Sequence, residues 1–322
     1  MSFNKNNGPK IAAIGGGHGL SAMLRGLKKY TDNITAIVTV ADDGGGSGVL
    51  RHDMGMLPPG DIRRCILALS NTEPVLEQLF DFRFSEGTLS GQSLGNLFLA
   101  ALNSMSDSFD EAVLKMCQVL GVSGRVLPVT NYDVFLEAEF EDGSRVLGEH
   151  KIFDQKKRKK CRIKKVRLVP EKPQALPAAV KAIEEADLVV IAPGSLYTSI
   201  IPNLLVDGMV DAIARSKAKC VYACNLMSQE GETEGYTAAD HIRELHNHSV
   251  PGLVDICIAN SEDISDEMKA QYELEGAERL VADEKEFAEM GVELVLKPLV
   301  ADEGDYVRHD EDALARAIME IL

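Results

Sequence analysis

Residues 10 to 48 commit the chain to one kind of architecture. Lys10-Ile11-Ala12-Ala13-Ile14 is a short apolar run that ends in Gly15-Gly16-Gly17-His18-Gly19-Leu20. A run without polar alternation, closed by glycines, reads as a strand buried on both faces. Ser21 to Lys29 then carries Met23, Leu24 and Leu27 at helical spacing, and Ile34 to Val40 is again continuous and rich in β-branched residues. Strand, helix and strand joined by short connections form a βαβ unit, which requires a parallel sheet. The fold class expected is α/β, Rossmann-like, with a mostly parallel sheet and flanking helices.

The rest of the chain fits that frame with one interruption. Ile62–Leu69, Pro74–Phe82, Gly95–Met105 and Asp110–Leu120 have helical spacing. Near Arg125 the period changes. Val134–Phe140 and Arg145–Ile152 alternate polar and apolar residues around Glu141-Asp142-Gly143-Ser144, which predicts an antiparallel hairpin, and Arg162–Val169 predicts a third strand. Strand and helix then alternate again: strands at Leu188–Ile191, Cys220–Cys224, Ile256–Ala259 and Leu294–Lys297, and helices at Ala178–Glu185, Pro202–Ser216, Ala238–His246 and Asp310–Leu322. The reading is a single α/β domain over residues 1–322, with a small antiparallel β insertion at about 124–169.

The residues that can carry chemistry gather at predicted strand ends. Gly15, Gly16, Gly17, His18 and Gly19 join a strand to a helix, so backbone N–H groups and the positive helix end can meet a phosphate. Gly17-His18-Gly19-Leu20-Ser21-Ala22 fits G-x-G-x-x-A, and no Gly-Lys-Ser/Thr follows to make a P-loop. Asp42, Asp43 and Gly44 open Asp42-Asp43-Gly44-Gly45-Gly46-Ser47-Gly48 after the second strand, where an acid can bind a ribose hydroxyl or Mg²⁺; a surface turn is the plain alternative. Asp61 suits a helix first turn, and Arg63-Arg64 either reaches phosphate or stays solvated. Asn96 lies in a further loop rich in glycine and hydroxyls before a helix. Gly194, Ser195, Tyr197 and Thr198 follow the Leu188–Ile191 strand and form a second anion-binding loop, without the G-x-S-x-G frame of a hydrolase. Asn225 and Thr233 follow the Cys220–Cys224 strand, again at the end where open α/β sheets bind ligands. His241, His246 and His248 do not share one helical face, and solvated or capping roles are expected of them.

Composition removes several classes of function. A net charge of −16 would repel nucleic-acid phosphates. No apolar run approaches the roughly 18 residues of a membrane span. The polar stretch Met1–Lys10 lacks a secretory core, so a cytoplasmic protein is expected. The six cysteines read mostly as buried thiols, and their spacing argues against a structural metal. Lys156-Lys157-Arg158-Lys159-Lys160 is expected at a solvated hairpin tip, or as a docking site for an acidic partner or surface.

In this order, Gly15–Leu20, Val38–Gly45, Pro58–Arg63, Leu94–Leu97, Pro193–Ser199, Asn225–Met227 and Gly231–Thr233 resemble the gluconeogenesis factor (YvcK/GlmR-like) family of bacteria, which is related to the 2-phospho-L-lactate transferases (CofD). The likeness runs from about Lys10 to the C-terminal helix; His18 stands where many members have Thr, and Gly46 where Ser is common. The resemblance implies a cytoplasmic protein needed for cell shape and wall-precursor supply under gluconeogenic growth. It implies UDP-N-acetylglucosamine as ligand, no settled catalytic activity, a protein partner in amino-sugar synthesis, and homodimers. It also implies that Tyr272 and Arg308 take part in UDP-sugar binding. Three readings stand: a nucleotide-sugar sensor without catalytic residues, a Mg²⁺-dependent transferase of the phospholactyl type using Asp42 and Asp43, and an NAD(P) oxidoreductase suggested by the first loop alone.

Overall fold

β1 (Ile11–Gly15) and β2 (Ile34–Val38) pair in parallel, Ile11 opposite Ile34 and Gly15 opposite Val38. Every residue of both strands is buried, as uniform apolar runs require in a sheet covered on both faces. The computed structural model describes residues 8–159, 161–274, 276–301 and 306–322. β3 (Arg125–Pro128) extends the sheet beyond β2. A separate antiparallel sheet follows, made of β4 (Phe135–Phe140), β5 (Arg145–Leu147) and β6 (Ile163–Val169), with β4 in the middle. The chain then returns to the main sheet with β7 (Leu188–Ile191) on the free side of β1, followed outward by β8 (Lys219–Ala223), β9 (Ile256–Asn260) and β10 (Glu293–Lys297).

The main sheet is therefore seven-stranded and parallel, in the order β10-β9-β8-β7-β1-β2-β3. The direction of winding reverses between β1 and β7, which opens a crevice above their carboxyl ends. Three helices begin close to it: α1 (Gly17–Leu27), α2 (Gly45–Met54) and α3 (Gly60–Leu69). α1 packs on α3 and on the C-terminal helix Glu311–Met319, whose Asp310 side chain accepts from the N–H groups of Asp312 and Ala313. In the small sheet, Leu136, Ala138 and Phe140 of β4 and Ile163, Val166 and Leu168 of β6 turn inward and join the main core.

The expected α/β, Rossmann-like architecture with its small antiparallel sheet is present, and five local readings change. Arg125–Pro128 pairs with β2, so it belongs to the main sheet rather than to the insertion. Arg145–Ile152 is a strand only to Leu147; Gly148 turns the chain at φ +106°, and a helix, Glu149–Lys159, begins. The backbone of Lys156–Lys159 accordingly lies on this helix and not at a hairpin tip, and Lys160 lies outside the described residues. Gly45–Met54 is helical despite its glycines. The expected helix Pro202–Ser216 is split into Ile201–Leu204 and Met209–Arg215 by Gly208, at φ +93°. All six cysteines are free thiols, five buried and Cys161 partly exposed. Among the described residues, no helix is long and apolar enough to cross a membrane.

Candidate functional site

The crevice above β1 and β7 is a cleft of about 630 Å³, within the range of small-molecule sites. Its floor is Gly16-Gly17-His18-Gly19 at the start of α1. Gly17 adopts φ +67°, and its N–H donates to Asp61 Oδ2 at 2.8 Å, while Asp61 Oδ1 accepts from Arg64 at 2.9 Å. Asp61, in the first turn of α3, thus ties two helix starts together. Gly19 is needed for a different reason. A Cβ there would lie 2.1 Å from the Pro193 carbonyl oxygen, because α1 rests directly on the second loop.

That loop forms the opposite wall. Pro193, Gly194, Ser195, Thr198 and Ser199 line the cleft, and Asn225 clamps Gly194 from the end of β8: its Nδ2 donates to Gly194 O at 2.7 Å, and its Oδ1 accepts from Gly194 N at 2.8 Å. Tyr272 lines the far rim, where its hydroxyl accepts from Val307 N at 3.0 Å. His309 lies beside it, with Nε2 donating to Cys224 O at 3.0 Å; burial pulls its pKa down to about 4. Asn96, buried at the first turn of Leu94–Ser104, is held by Ser93 Oγ and by Arg63 Nε.

Charge divides the cleft. Burial lowers the pKa of His18, and the Arg64 and Arg308 guanidiniums lower it further, so a neutral imidazole sits among cations. The Asp42 carboxyl is pushed above the usual carboxylate range, first by burial and then by the nearby Asp61 carboxylate; its Oδ1 accepts from Gly44 N at 2.8 Å. No side chain caps α2, and Gly44, Gly45, Gly46 and Ser47 present its amino end to the cleft. Gly17 N and Gly44 N are taken by Asp61 and Asp42, so the remaining amino-end N–H groups of α1 and α2, with Arg64 and Arg308, are the groups that can meet a phosphate. Among the described residues, no group of three or more His, Cys, Asp or Glu side chains is placed to hold a metal ion.

The structure therefore brings together Gly16, Gly17, His18, Gly19, Asp42, Gly44, Asn96, Gly194, Ser195, Thr198, Asn225 and Tyr272. It sets the remaining expected residues apart. Gly15 is the last residue of β1. Asp43 turns to the insertion, where it accepts from His150 N at 2.8 Å. Tyr197 is fully buried behind its loop with its hydroxyl against that of Tyr236, because the π-type turn Leu196–Ile200 rotates it inward. Thr233 is buried and accepts from Gln229 N at 2.9 Å. Arg308 is exposed at the mouth, between Val307 and His309, which line the cleft. His241 is a correction: it is wholly buried, with Nδ1 at 3.0 Å from Thr237 O, because it lies on the inner face of Ala238–Asn247. His248 does cap that helix. Arg63 is buried, bonded to Asn96 and paired with Asp81, and so is not solvated. Sequence reasoning missed Arg83, Glu149 and His309, none of which sits in a motif of its own, and Thr39, which lies in the Val38–Gly45 run without having been singled out.

Fold and cleft together define a doubly wound α/β protein suited to an anionic ligand at its switch point. The family model of 2-phospho-L-lactate transferase CofD matches residues 11–300. A relative from Thermoanaerobacterium thermosulfurigenes is 52% identical over 100% of this chain and 99% of its own. The gluconeogenesis factor of Bacillus subtilis is 49% identical over 98% of both chains. The crystal structure of a Bacillus halodurans protein superposes with a TM-score of 0.94 at 46% identity, covering 97% of this chain and 100% of that one. The chain belongs to the CofD family and, within it, to the gluconeogenesis factors.

Proposed function

We propose that the chain is a cytoplasmic regulatory protein that binds UDP-N-acetylglucosamine in this cleft and so links amino-sugar supply, and with it cell shape, to growth on gluconeogenic carbon sources. The observation that carries the reading is the pairing of two backbone-rich anion loops, Gly16–Gly19 and Pro193–Ser199, across one cleft with Arg64 and Arg308 at its side. A diphosphate would span the loops, and Tyr272 would offer its ring to the base or the sugar.

A second reading, transfer chemistry of the CofD type, is favoured by the half-buried Asp42 near Asp61. Both Asp61 oxygens and Asp42 Oδ1 already accept protein N–H groups. A Mg²⁺ ion would be held by Asp42 together with the ligand's own phosphate oxygens, a donor set that suits this ion. The ion would neutralise phosphate charge during transfer.

Thermal melting separates the two. UDP-N-acetylglucosamine at about 100 times its Kd should stabilise the protein by about 2.7 kcal/mol, more than GDP or NAD at equal concentration, and should be recovered without release of UDP or UMP. A larger shift with GDP and Mg²⁺ would favour the transferase. Arg308→Lys should weaken UDP-sugar binding about tenfold, because an ammonium cannot reproduce the paired donors of a guanidinium. The ligand-free melting temperature should hold, since Arg308 is exposed; equal calorimetric affinities would remove Arg308 from the site.

A further inference from the structure

The two adjacent acids after β2 do different things, and the difference singles out a third. Asp42 faces the cleft, whereas Asp43 faces the insertion: its Oδ1 accepts from His150 N at 2.8 Å, and a Cβ on Gly148 would lie 2.5 Å from its Oδ2. Asp43 therefore pins the first turn of Glu149–Lys159 against the glycine loop. The residue so presented is Glu149, which lines the cleft. A Cβ at Gly44 would lie 3.9 Å from Glu149 Oε2 and 3.4 Å from Asp42 Oδ1, so two carboxylates flank the same glycine.

The Asp42 and Glu149 carboxylates accept hydrogen bonds from neutral donors, and His150 Nδ1 lies as near to a Cβ at Gly44 as Glu149 Oε2 does. Arg64 and Arg308 act on His18, Arg64 also acts on Asp42, and Arg83 lines the cleft as well. We propose that Glu149 determines specificity, accepting a hydrogen bond from a hydroxyl or amide N–H on the uncharged, sugar-like part of the ligand, and that Asp43 is the positioning residue that holds it there. The assignment rests on the nucleotide-sugar reading and adds which side chain distinguishes the sugar from the bare nucleotide. The insertion then has a role at the site: it supplies a carboxylate acceptor beside the Gly44 loop.

Calorimetry with UDP-N-acetylglucosamine and with UDP, each in EDTA and in Mg²⁺, tests it. Glu149→Ala should weaken UDP-N-acetylglucosamine about tenfold, the worth of one hydrogen bond to a charged group, and UDP far less, so that the ratio of the two affinities falls toward one. Glu149→Gln, which keeps an acceptor oxygen, should retain part of the ratio. Asp43→Ala should lower the ratio and Asp43→Asn restore it, and Asp43→Ala added to Glu149→Ala should cost nothing more. An unchanged ratio in Glu149→Ala, or a loss seen only in Mg²⁺, would overturn the assignment while leaving the sugar reading intact. Equal affinity of the wild type for UDP and UDP-N-acetylglucosamine would remove the sugar reading and this assignment with it.

Discussion

Gly19→Ala should destabilise the protein by about 3 kcal/mol, at the upper end for an overpacked site, and abolish ligand-induced stabilisation. The added methyl would meet the Pro193 carbonyl oxygen at 2.1 Å and its carbon at 2.6 Å. Both obstacles are backbone, so no rotamer change relieves the clash. The Pro193–Gly194 loop cannot retreat freely either, because Asn225 grips Gly194 at two points. Urea unfolding and a melt with UDP-N-acetylglucosamine check the two halves of the expectation. Unaltered stability would mean that α1 and the loop slide apart without cost. Gly45→Ala is the comparison that isolates the cause, since nothing lies within 4 Å of a Cβ there and only its φ of +49° opposes the change.

The second large effect is acid sensitivity above the carboxylate range. Burial lowers the pKa of His18, His241, His246, His248 and His309 from the ordinary value of 6.5, that of His309 to about 4. A group whose folded pKa is depressed binds its proton more readily in the unfolded chain, so stability falls as pH drops from 6.5 toward 4. His309 alone accounts for up to about 3 kcal/mol over that span. His248 contributes through geometry: its Nε2 accepts from Val166 N at 3.3 Å, which a protonated ring cannot do. Asp42, raised by burial, acts in the opposite sense and offsets part of the loss. Chemical unfolding at pH 7.5, 6 and 5 should show a progressive loss, about 2 kcal/mol of it from His309 by pH 5, and His309→Asn should flatten the slope. A pH-independent midpoint down to 5 would contradict the desolvation of His241, His248 and His309.

The strands that build the cleft were legible because each is buried on both faces and so carries an unbroken apolar run; Leu188–Ile191 matches residue for residue. The loops were legible because glycine and hydroxyl residues at strand ends have few other uses. What escaped was set by contacts distant in sequence. Gly45–Met54 has four residues, Gly45, Gly46, Ser47 and Gly48, that disfavour helix, and it is held by Arg51, which reaches Val134 O at 2.6 Å and stacks on the Phe135 ring at 3.7 Å. Asp42 and Asp43 are indistinguishable as letters, and only the return of the chain at His150 gives one to the cleft and the other to the insertion. Tyr197 looked like a ligand residue because its neighbours are, and the π-type turn that buries it has no residue signature. Asp266–Leu274 and Glu284–Met290, polar and short, went unread as helices.

The winding order also sets when the site comes into being during synthesis. β1 leaves the ribosome well before its neighbour β7; Lys10 N meets Asp187 Oδ2, 177 positions away, at the base of their pairing. A loop of that length closes late relative to local contacts. Until Leu188–Ser199 has emerged, the Gly16–Gly19 floor has no facing wall, and any ligand of the cleft has only half a site. A metabolite bound here can therefore stabilise finished chains but cannot template the nascent one, and products truncated before Leu188 escape its protection.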